Sequence, residues 1–206
     1  EEPEKHPHPS TVATISTQAA SADLPRHIRL FALDEWVLGR DDPHDGAADI
    51  PLAHFNGGGQ RDPGGLTRRL SARHAVIRRS GSGFEIEDVS RYGLLVDGAW
   101  PGKHQPVPLR LGTRIEMTAS VRGIVQLVVS ALLPTGLVIY REDEGARDEC
   151  FVLVEPARHP GREPARTAML PRAARLPLLF HHNGGFWRLD PASGAQEAVI
   201  PAPAVA

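Results

Sequence analysis

Short apolar runs separated by turn residues organise most of this chain. Between positions 27 and 133 they recur at strand length, at 27–33, 36–40, 48–52, 75–79, 83–88, 93–96, 114–118 and 123–133. Asp34-Glu35 separates the first two, and DDPHDG at 41–46 supplies turn chemistry after the second. Phe84 and Ile86 alternate with Glu85 and Glu87, the period-two pattern of a half-buried strand. Ser80-Gly81-Ser82-Gly83 closes a hairpin onto the strand before it. Val125, Leu127, Val128 and Val129 make the last run nearly continuous, which predicts a central, buried strand. No segment keeps a helical period. Many short strands with regular turn signals predict an all-β fold, an antiparallel β-sandwich.

The flanks read differently. Residues 1–25 carry Pro, Ser, Thr and Ala with few large apolar groups. Such a stretch buries too little surface to offset its ordering entropy, so a flexible linker is expected. The segment 54–69, HFNGGGQRDPGGLTRR, has too many glycines for a regular element and is expected to be a long surface loop. Beyond Pro134 the chain stays β-like, with apolar runs at 136–140, 150–154, 176–180 and 186–189. PRAARLPLLFHHNGGFWRLD at 171–190 has the layout of RLSARHAVIRRSGSGFEIED at 69–88, with Ala173 in the place of Ser71 and Leu176 in that of His74. That echo is either a degenerate half-copy or a coincidence of two hairpins. Either way the piece is too short to bury a core alone and is expected to pack on the main sandwich. The expected division is a linker at 1–25, a β-sandwich at 26–134 and a β-rich extension with a tail at 135–206.

Composition narrows the function. The 206 residues carry a net charge of −2, which gives no reason for bulk attraction to nucleic acid or anionic membrane. Lysine occurs only at Lys5 and Lys103, so nearly every cation is an arginine, a bias that suits bidentate phosphate recognition as well as genomic composition. Cys150 is the single cysteine, so no intrachain disulfide and no zinc cluster are expected. No apolar run spans a bilayer, and the acidic, proline-rich start does not read as a signal peptide, so a cytoplasmic location is expected.

The stretch 70–98 carries the chemistry. It contains Ser71-x-x-His74, Asp88-x-Ser90-x-x-Gly93 and Val96-Asp97-Gly98. Gly39-Arg40 lies upstream at a strand end, and Leu109-x-x-Gly112 lies downstream. Each motif is weak alone; the ordered set, over roughly 27–133, resembles the forkhead-associated (FHA) domain, a phosphothreonine-binding β-sandwich of the SMAD/FHA type. The connection at 54–69 is usually short in that family and so reads as an insertion.

The resemblance implies roles. A phosphothreonine dianion presents only acceptor oxygens and needs charged, rigidly held donors. Arg40 falls on the family's phosphate-binding arginine, whose fork can engage two oxygens. Ser71 falls on the phosphate-contacting serine, with hydroxyl and backbone N–H both expected to donate. Gly39, His74 and Gly93 are implied to be structural, His74 as a hydrogen-bonded buttress of the recognition loop, and Gly98 likewise permits a turn.

The departures from the family pattern matter equally. Ala72 stands where an asparagine is usual, and Arg91-Tyr92-Gly93 stands for Ser/Thr-Asn-Gly. The missing amide of that second asparagine normally bonds the peptide main chain. Tyr92 offers one hydroxyl, and Arg91 brings charge. Arg40, Ser71, Ala72, Arg91 and Tyr92 are therefore the candidate phosphopeptide-binding positions. Two readings stand: a binder with altered selectivity, or a phosphate-independent scaffold with a partly degraded site. The insertion, with Arg61, Arg68 and Arg69, is either a flap over the peptide or a tolerated extension.

Catalysis is not expected. There is no HExxH, His181 and His182 face opposite sides of any strand, and the glycines at 57–59 lack a following Gly-Lys-Ser/Thr. A Ser71–His74–Asp88 triad has no nucleophile elbow. No cofactor and no metal site are expected. The expected function is an adaptor for threonine-phosphorylated protein in bacterial-type Ser/Thr kinase signalling, with a kinase upstream and no nucleic-acid or membrane contact. Thr11, Thr14 and Thr17 make the chain's own tail, or that of a neighbouring copy, a further candidate partner.

Overall fold

The computed structural model describes residues 12–16, 27–143, 149–156, 178–182, 185–189, 193 and 195–199. The strands are β1 (Val12–Ser16), β2 (His27–Ala32), β3 (Glu35–Arg40), β4 (Ile50–Leu52), β5 (His54–Phe55) and β6 (Arg61–Asp62). They continue with β7 (Ala75–Ser80), β8 (Gly83–Asp88), β9 (Leu94–Val96), β10 (Val107–Pro108), β11 (Arg114–Met117) and β12 (Gln126–Leu133). The last are β13 (Gly136–Arg141), β14 (Glu149–Val154), β15 (Leu178–His182), β16 (Gly185–Leu189) and β17 (Gln196–Ala198). A 3-10 turn at Leu66–Arg69 is the one helical element among the described residues.

Two sheets face each other. One orders its strands β1-β2-β14-β13-β12-β11-β9, the other β10-β8-β7-β3-β4. Pairing is antiparallel except at β3–β4 and β2–β14. The period-two pattern of β8 is realised as expected: Phe84, Ile86 and Asp88 are buried and the residues between them are half-buried. Between the sheets lies the main core, with Trp36, Leu38, Ile77, Phe84 and Ile86 from one side and Phe31, Ile115, Leu127, Ile139 and Phe151 from the other. Trp36 anchors it, its ring 5.9 Å from that of Phe84. This is an FHA-like β-sandwich with a small C-terminal β-rich piece, as the strand pattern and the motif set predict.

The apolar run around Val129 has a more specific use than a doubly buried strand. β12 alternates buried positions with half-buried or exposed ones, and its register to β13 shifts between Val129 and Ala131. The extra residue turns the strand over. Leu127 and Val129 enter the main core, while Ala131 and Leu133 join a second core on the outer face of the same sheet. That outer core holds Ile28, Leu30, Val138, Cys150, Val152 and, from β16, Phe186. The C-terminal hairpin therefore does pack on the sandwich, and it covers a face that would otherwise expose aliphatic side chains.

Three expectations change. The large sheet runs past the boundary placed at 134, because β13 pairs with β12 and β14 returns beside β2. Within the expected linker, residues 12–16 form β1 against β2, with Thr14 opposite Arg29; Thr11, Thr17 and the rest of 1–25 lie outside the described residues. The strand pairs the backbone groups of the β2 edge. The insertion is not structureless either. His54–Phe55 and Arg61–Asp62 pair, and Asn56 Oδ1 accepts the Gly58 and Gln60 N–H groups at 3.1 and 2.9 Å, so a side chain closes the turn that the glycines permit.

Candidate functional site

Three connections meet at one end of the sandwich: the exit of β3 at 40–44, the loop 70–74, and the turn 88–93 that leads to β9. Gly39 permits the first contact. The Ala72 carbonyl oxygen lies 1.8 Å from where a β-carbon on Gly39 would sit, so no other residue fits without displacement. The loop is then stitched to β3 by two backbone bonds, Arg40 N–H to Ser71 O and His74 N–H to Leu38 O, each 2.8 Å.

His74 ties the second connection to the third. Its ring is fully buried. The Ser71 N–H donates to Nδ1 at 3.1 Å, which makes Nδ1 an acceptor and leaves the proton on Nε2, 3.0 Å from Gly93 O. Burial holds the imidazole below its ordinary pKa, opposed by the Gly93 bond and the nearby Asp88, so the ring acts as a neutral bridge. The ring thus links the 70–74 loop to the 88–93 turn. The Ser71 backbone N–H is spent inside the protein and is not a donor for a ligand. Its hydroxyl oxygen accepts the Arg91 N–H at 2.9 Å, which leaves the hydroxyl hydrogen to be donated.

The turn itself is organised by Asp88. Its Oδ1 accepts the Ser90 N–H at 2.9 Å and the Ser90 hydroxyl at 2.7 Å, and its Oδ2 accepts the Trp100 indole N–H at 3.0 Å. The Ser90 hydroxyl oxygen accepts the Gly93 N–H at 2.7 Å. Gly93 has φ +77°, a conformation that favours glycine. Trp100 sits in a turn-rich stretch without a motif, so no sequence signal marked it; the residue is 57% exposed, beside Gly93. Ser71, His74 and Asp88 form no proton relay. His74 faces two backbone groups, and Asp88 faces Ser90 and Trp100.

Arg40 is half-buried, its side chain 28% exposed. Nη1 donates to Leu70 O at 3.2 Å and Nη2 to Asp42 Oδ2 at 3.1 Å. The other Asp42 oxygen accepts the His44 N–H at 3.0 Å. That backbone bond, and then Arg40, hold the Asp42 carboxyl below the usual range. Beside Arg40 opens a hollow of about 500 Å³, walled by the turn 41–44 on one side and by Pro63 and Arg68 of the insertion on the other. Ser71 does not line it; it joins Arg40 through the backbone. Arg91 is exposed, Ala72 and Tyr92 are half-buried, and the Arg69 guanidinium sits 5.8 Å from the centre of the Tyr92 ring. All eight sequence-derived site residues thus lie in one linked cluster. Asp42 and the Arg69–Tyr92 contact are additions that no motif marked.

Among the described residues, no group of three or more His, Cys, Asp or Glu side chains is placed to hold a metal ion. Among them, too, no helix is long and apolar enough to cross a membrane.

No curated protein matches the chain. Among solved structures it is similar to full-length yeast Pml1p, at 17% identity and a TM-score of 0.35, covering 52% of this chain and 69% of that one. A second structure, of the yeast splicing factor Pml1, aligns at 17% identity and a TM-score of 0.35, over 52% of this chain and 68% of that one. A structure from work on phosphothreonine-dependent FHA domain interactions aligns at 21% identity and a TM-score of 0.30, over 53% of this chain and 88% of that one. The FHA domain family matches residues 36–118, the span that holds Gly39, Arg40, Ser71, His74, Asp88 and Gly93. The motif set, the sandwich and the family match agree: residues 36–118 belong to the FHA domain family, whose members are in general phosphothreonine-binding interaction modules.

Proposed function

We propose that this chain is an adaptor that binds threonine-phosphorylated protein segments, with the Arg40 guanidinium and the Ser71 hydroxyl as the phosphate donors. Arg91 and Tyr92 flank the bound peptide, Ala72 shapes the loop, and Gly39, His74 and Gly93 hold the frame. The observation that carries this reading is the division of labour around Ser71. Its N–H is consumed by His74 and its oxygen by the Arg91 N–H, so the hydroxyl is oriented with its hydrogen still to give. A charge-assisted hydrogen bond contributes about 1.5–3 kcal/mol net. Two or three, with peptide backbone bonds, give roughly micromolar affinity after the costs of association. Such a module works downstream of a Ser/Thr kinase, which we take to be of bacterial type, in the cytoplasm.

A second reading has its own observation. Arg40 already has an anionic partner in Asp42, so the site is also compatible with a scaffold that binds without phosphate. Fluorescence anisotropy with a phosphothreonine peptide library and its unphosphorylated counterpart separates the two. Phosphate-dependent binding that Arg40→Ala abolishes supports the adaptor. Equal binding of both libraries, unaffected by Arg40→Ala, overturns it in favour of the scaffold.

A further inference from the structure

The insertion places its arginines with care. It is pinned at both ends. Thr67 is fully buried and its hydroxyl oxygen accepts the His54 N–H at 2.8 Å, and Leu70, also fully buried, closes the 3-10 turn by donating its N–H to Thr67 O at 3.0 Å. Asp62 accepts the Gly65 and Leu66 N–H groups at 2.8 and 3.2 Å, which sets the start of that turn. At the root of the insertion, the buried Arg141 guanidinium donates to Ala53 O at 2.6 Å and lies 4.8 Å from the centre of the Phe55 ring. A segment anchored in this way positions what it carries.

Arg68 and Arg69, the two cations before the Ser71 loop, go to opposite sides of it. Arg69 lies over Tyr92 on the side of the 88–93 turn. Arg68 lines the hollow beside Arg40. The carboxylates of that hollow are already engaged: Asp41 pairs with Arg61, and Asp42 with Arg40 and the His44 N–H. Arg68 has no carboxylate partner among the described residues, and neither do Arg69, Arg73 or Arg91 around the same loop. Arg68, Arg69, Arg73 and Arg91, carried on or beside the loop and turn of the candidate site without a carboxylate partner, add local positive charge that the whole-chain net charge of −2 hides. The hollow's volume of about 500 Å³ falls in the range of small-ligand sites, roughly 300–1,000 Å³, and exceeds what one phosphate group fills.

We propose that the hollow between the 41–44 turn and the insertion is a second anion subsite, in which Arg68 takes a second phosphate of the same peptide. The proposal rests on the phosphothreonine reading above and makes the preferred ligand a doubly phosphorylated segment. The insertion is then a selectivity element of this chain. Guanidinium forks donate bidentately to phosphate, and with Asp41 and Asp42 of the facing wall engaged by Arg61 and Arg40, Arg68 is left to face the anion.

The test is a set of anisotropy titrations on the full chain. The peptides are a phosphothreonine peptide, its unphosphorylated form, and versions with a second phosphothreonine, or a glutamate, at each flanking position. The proteins are wild type, Arg68→Ala and Arg110→Ala, the last an exposed arginine beside Leu109, which bonds to the far end of β8. Wild type is expected to bind one doubly phosphorylated spacing about tenfold or more tighter than the single phosphopeptide, with glutamate recovering part of the gain. In Arg68→Ala the ratio of the two affinities is expected to fall to about one; in Arg110→Ala it is expected to persist. A ratio unchanged by Arg68→Ala, absent at every spacing in wild type, or lost equally in Arg110→Ala overturns the subsite, while binding of the single phosphopeptide still upholds the adaptor reading. If wild type does not distinguish phosphorylated from unphosphorylated peptide, both readings fall together.

Discussion

The Ala72 carbonyl oxygen approaches Gly39 to within 1.8 Å of the position a β-carbon would take. The glycine before the candidate phosphate-binding arginine is thus a steric requirement of the loop that carries Ser71. Arg40 and Ser71 are brought together because residue 39 has no side chain. Gly39→Ala is expected to push the 70–74 loop off β3, costing about 1–3 kcal/mol of stability, the range for overpacking. Phosphopeptide binding should weaken with it. Gly46→Ala, where a β-carbon meets nothing within 4 Å, is the control. Urea midpoints for both variants check this; equal midpoints would show that the loop yields freely.

His74 gives a pH dependence with a definite sign. Its folded pKa is lowered by burial from the ordinary 6.5. Above that pH the ring is neutral in both states and its contribution is complete. Below it the unfolded chain binds a proton that the folded chain refuses, so stability falls as pH drops, until the folded ring itself titrates. In NMR spectra, assigned by difference from His74→Gln, the His74 ring is expected to stay in the Nε2-protonated neutral form at pH values where exposed histidines charge. His74→Ala should cost about 2–5 kcal/mol, since the Ser71 N–H and Gly93 O would each lose a buried partner.

Asp42 competes with any anion for Arg40. Asp42→Asn keeps an oxygen for the His44 N–H and removes the charge facing the guanidinium. Solvent screens a part-exposed pair of this kind, so phosphopeptide affinity is expected to rise by no more than about fivefold. Calorimetric titration measures it. A fall in affinity would mean that Asp42 orients Arg40 and does not merely occupy it.

Arg141 is a buried charge with a buried partner. Its buried side chain bonds Asp143 through Nε and Nη2 at 2.7 and 2.8 Å, and Glu149 through Nη1 at 3.0 Å. Arg141→Ala strands the buried Asp143 and cuts the insertion's root from β13. A loss of about 3–5 kcal/mol is expected. The double variant Arg141→Met/Asp143→Leu should recover part of it, as chemical denaturation of the three proteins would show.

Cys150 reports on the last strand of the large sheet. Burial pushes its thiol up to about 12, opposed by the hydrogen bond with Tyr140. At neutral pH the thiol is expected to resist a disulfide reagent until β14 opens, and then to react once per chain. Rapid modification under native conditions would mean that β14 detaches locally from β2 and β13.

Much of the frame was legible because strand structure is written locally. Alternation at Phe84 and Ile86 needs only the pleat, and the turn at 80–83 needs only glycine. The motif residues were legible for a related reason: Gly39, His74, Asp88 and Gly93 each answer a backbone demand that few residue types meet. Their partners were not legible. Nothing local says that the Ser71 N–H faces His74 and not a ligand, or that Arg40 meets Asp42.

The pattern of residues along this chain determined its class, its main strands and the motif residues of the candidate site, because those depend on backbone geometry within a few positions. Tertiary structure decided the rest. It carried β13 and β14 into the main sheet, turned β12 over at a bulge so that one strand serves two cores, and ordered residues 12–16 as an edge strand. It also dealt Arg68 and Arg69 to opposite sides of the Ser71 loop. Each of these depends on which distant backbone or side-chain group is left to be satisfied once the sheets have met, and no local sequence signal carries that information.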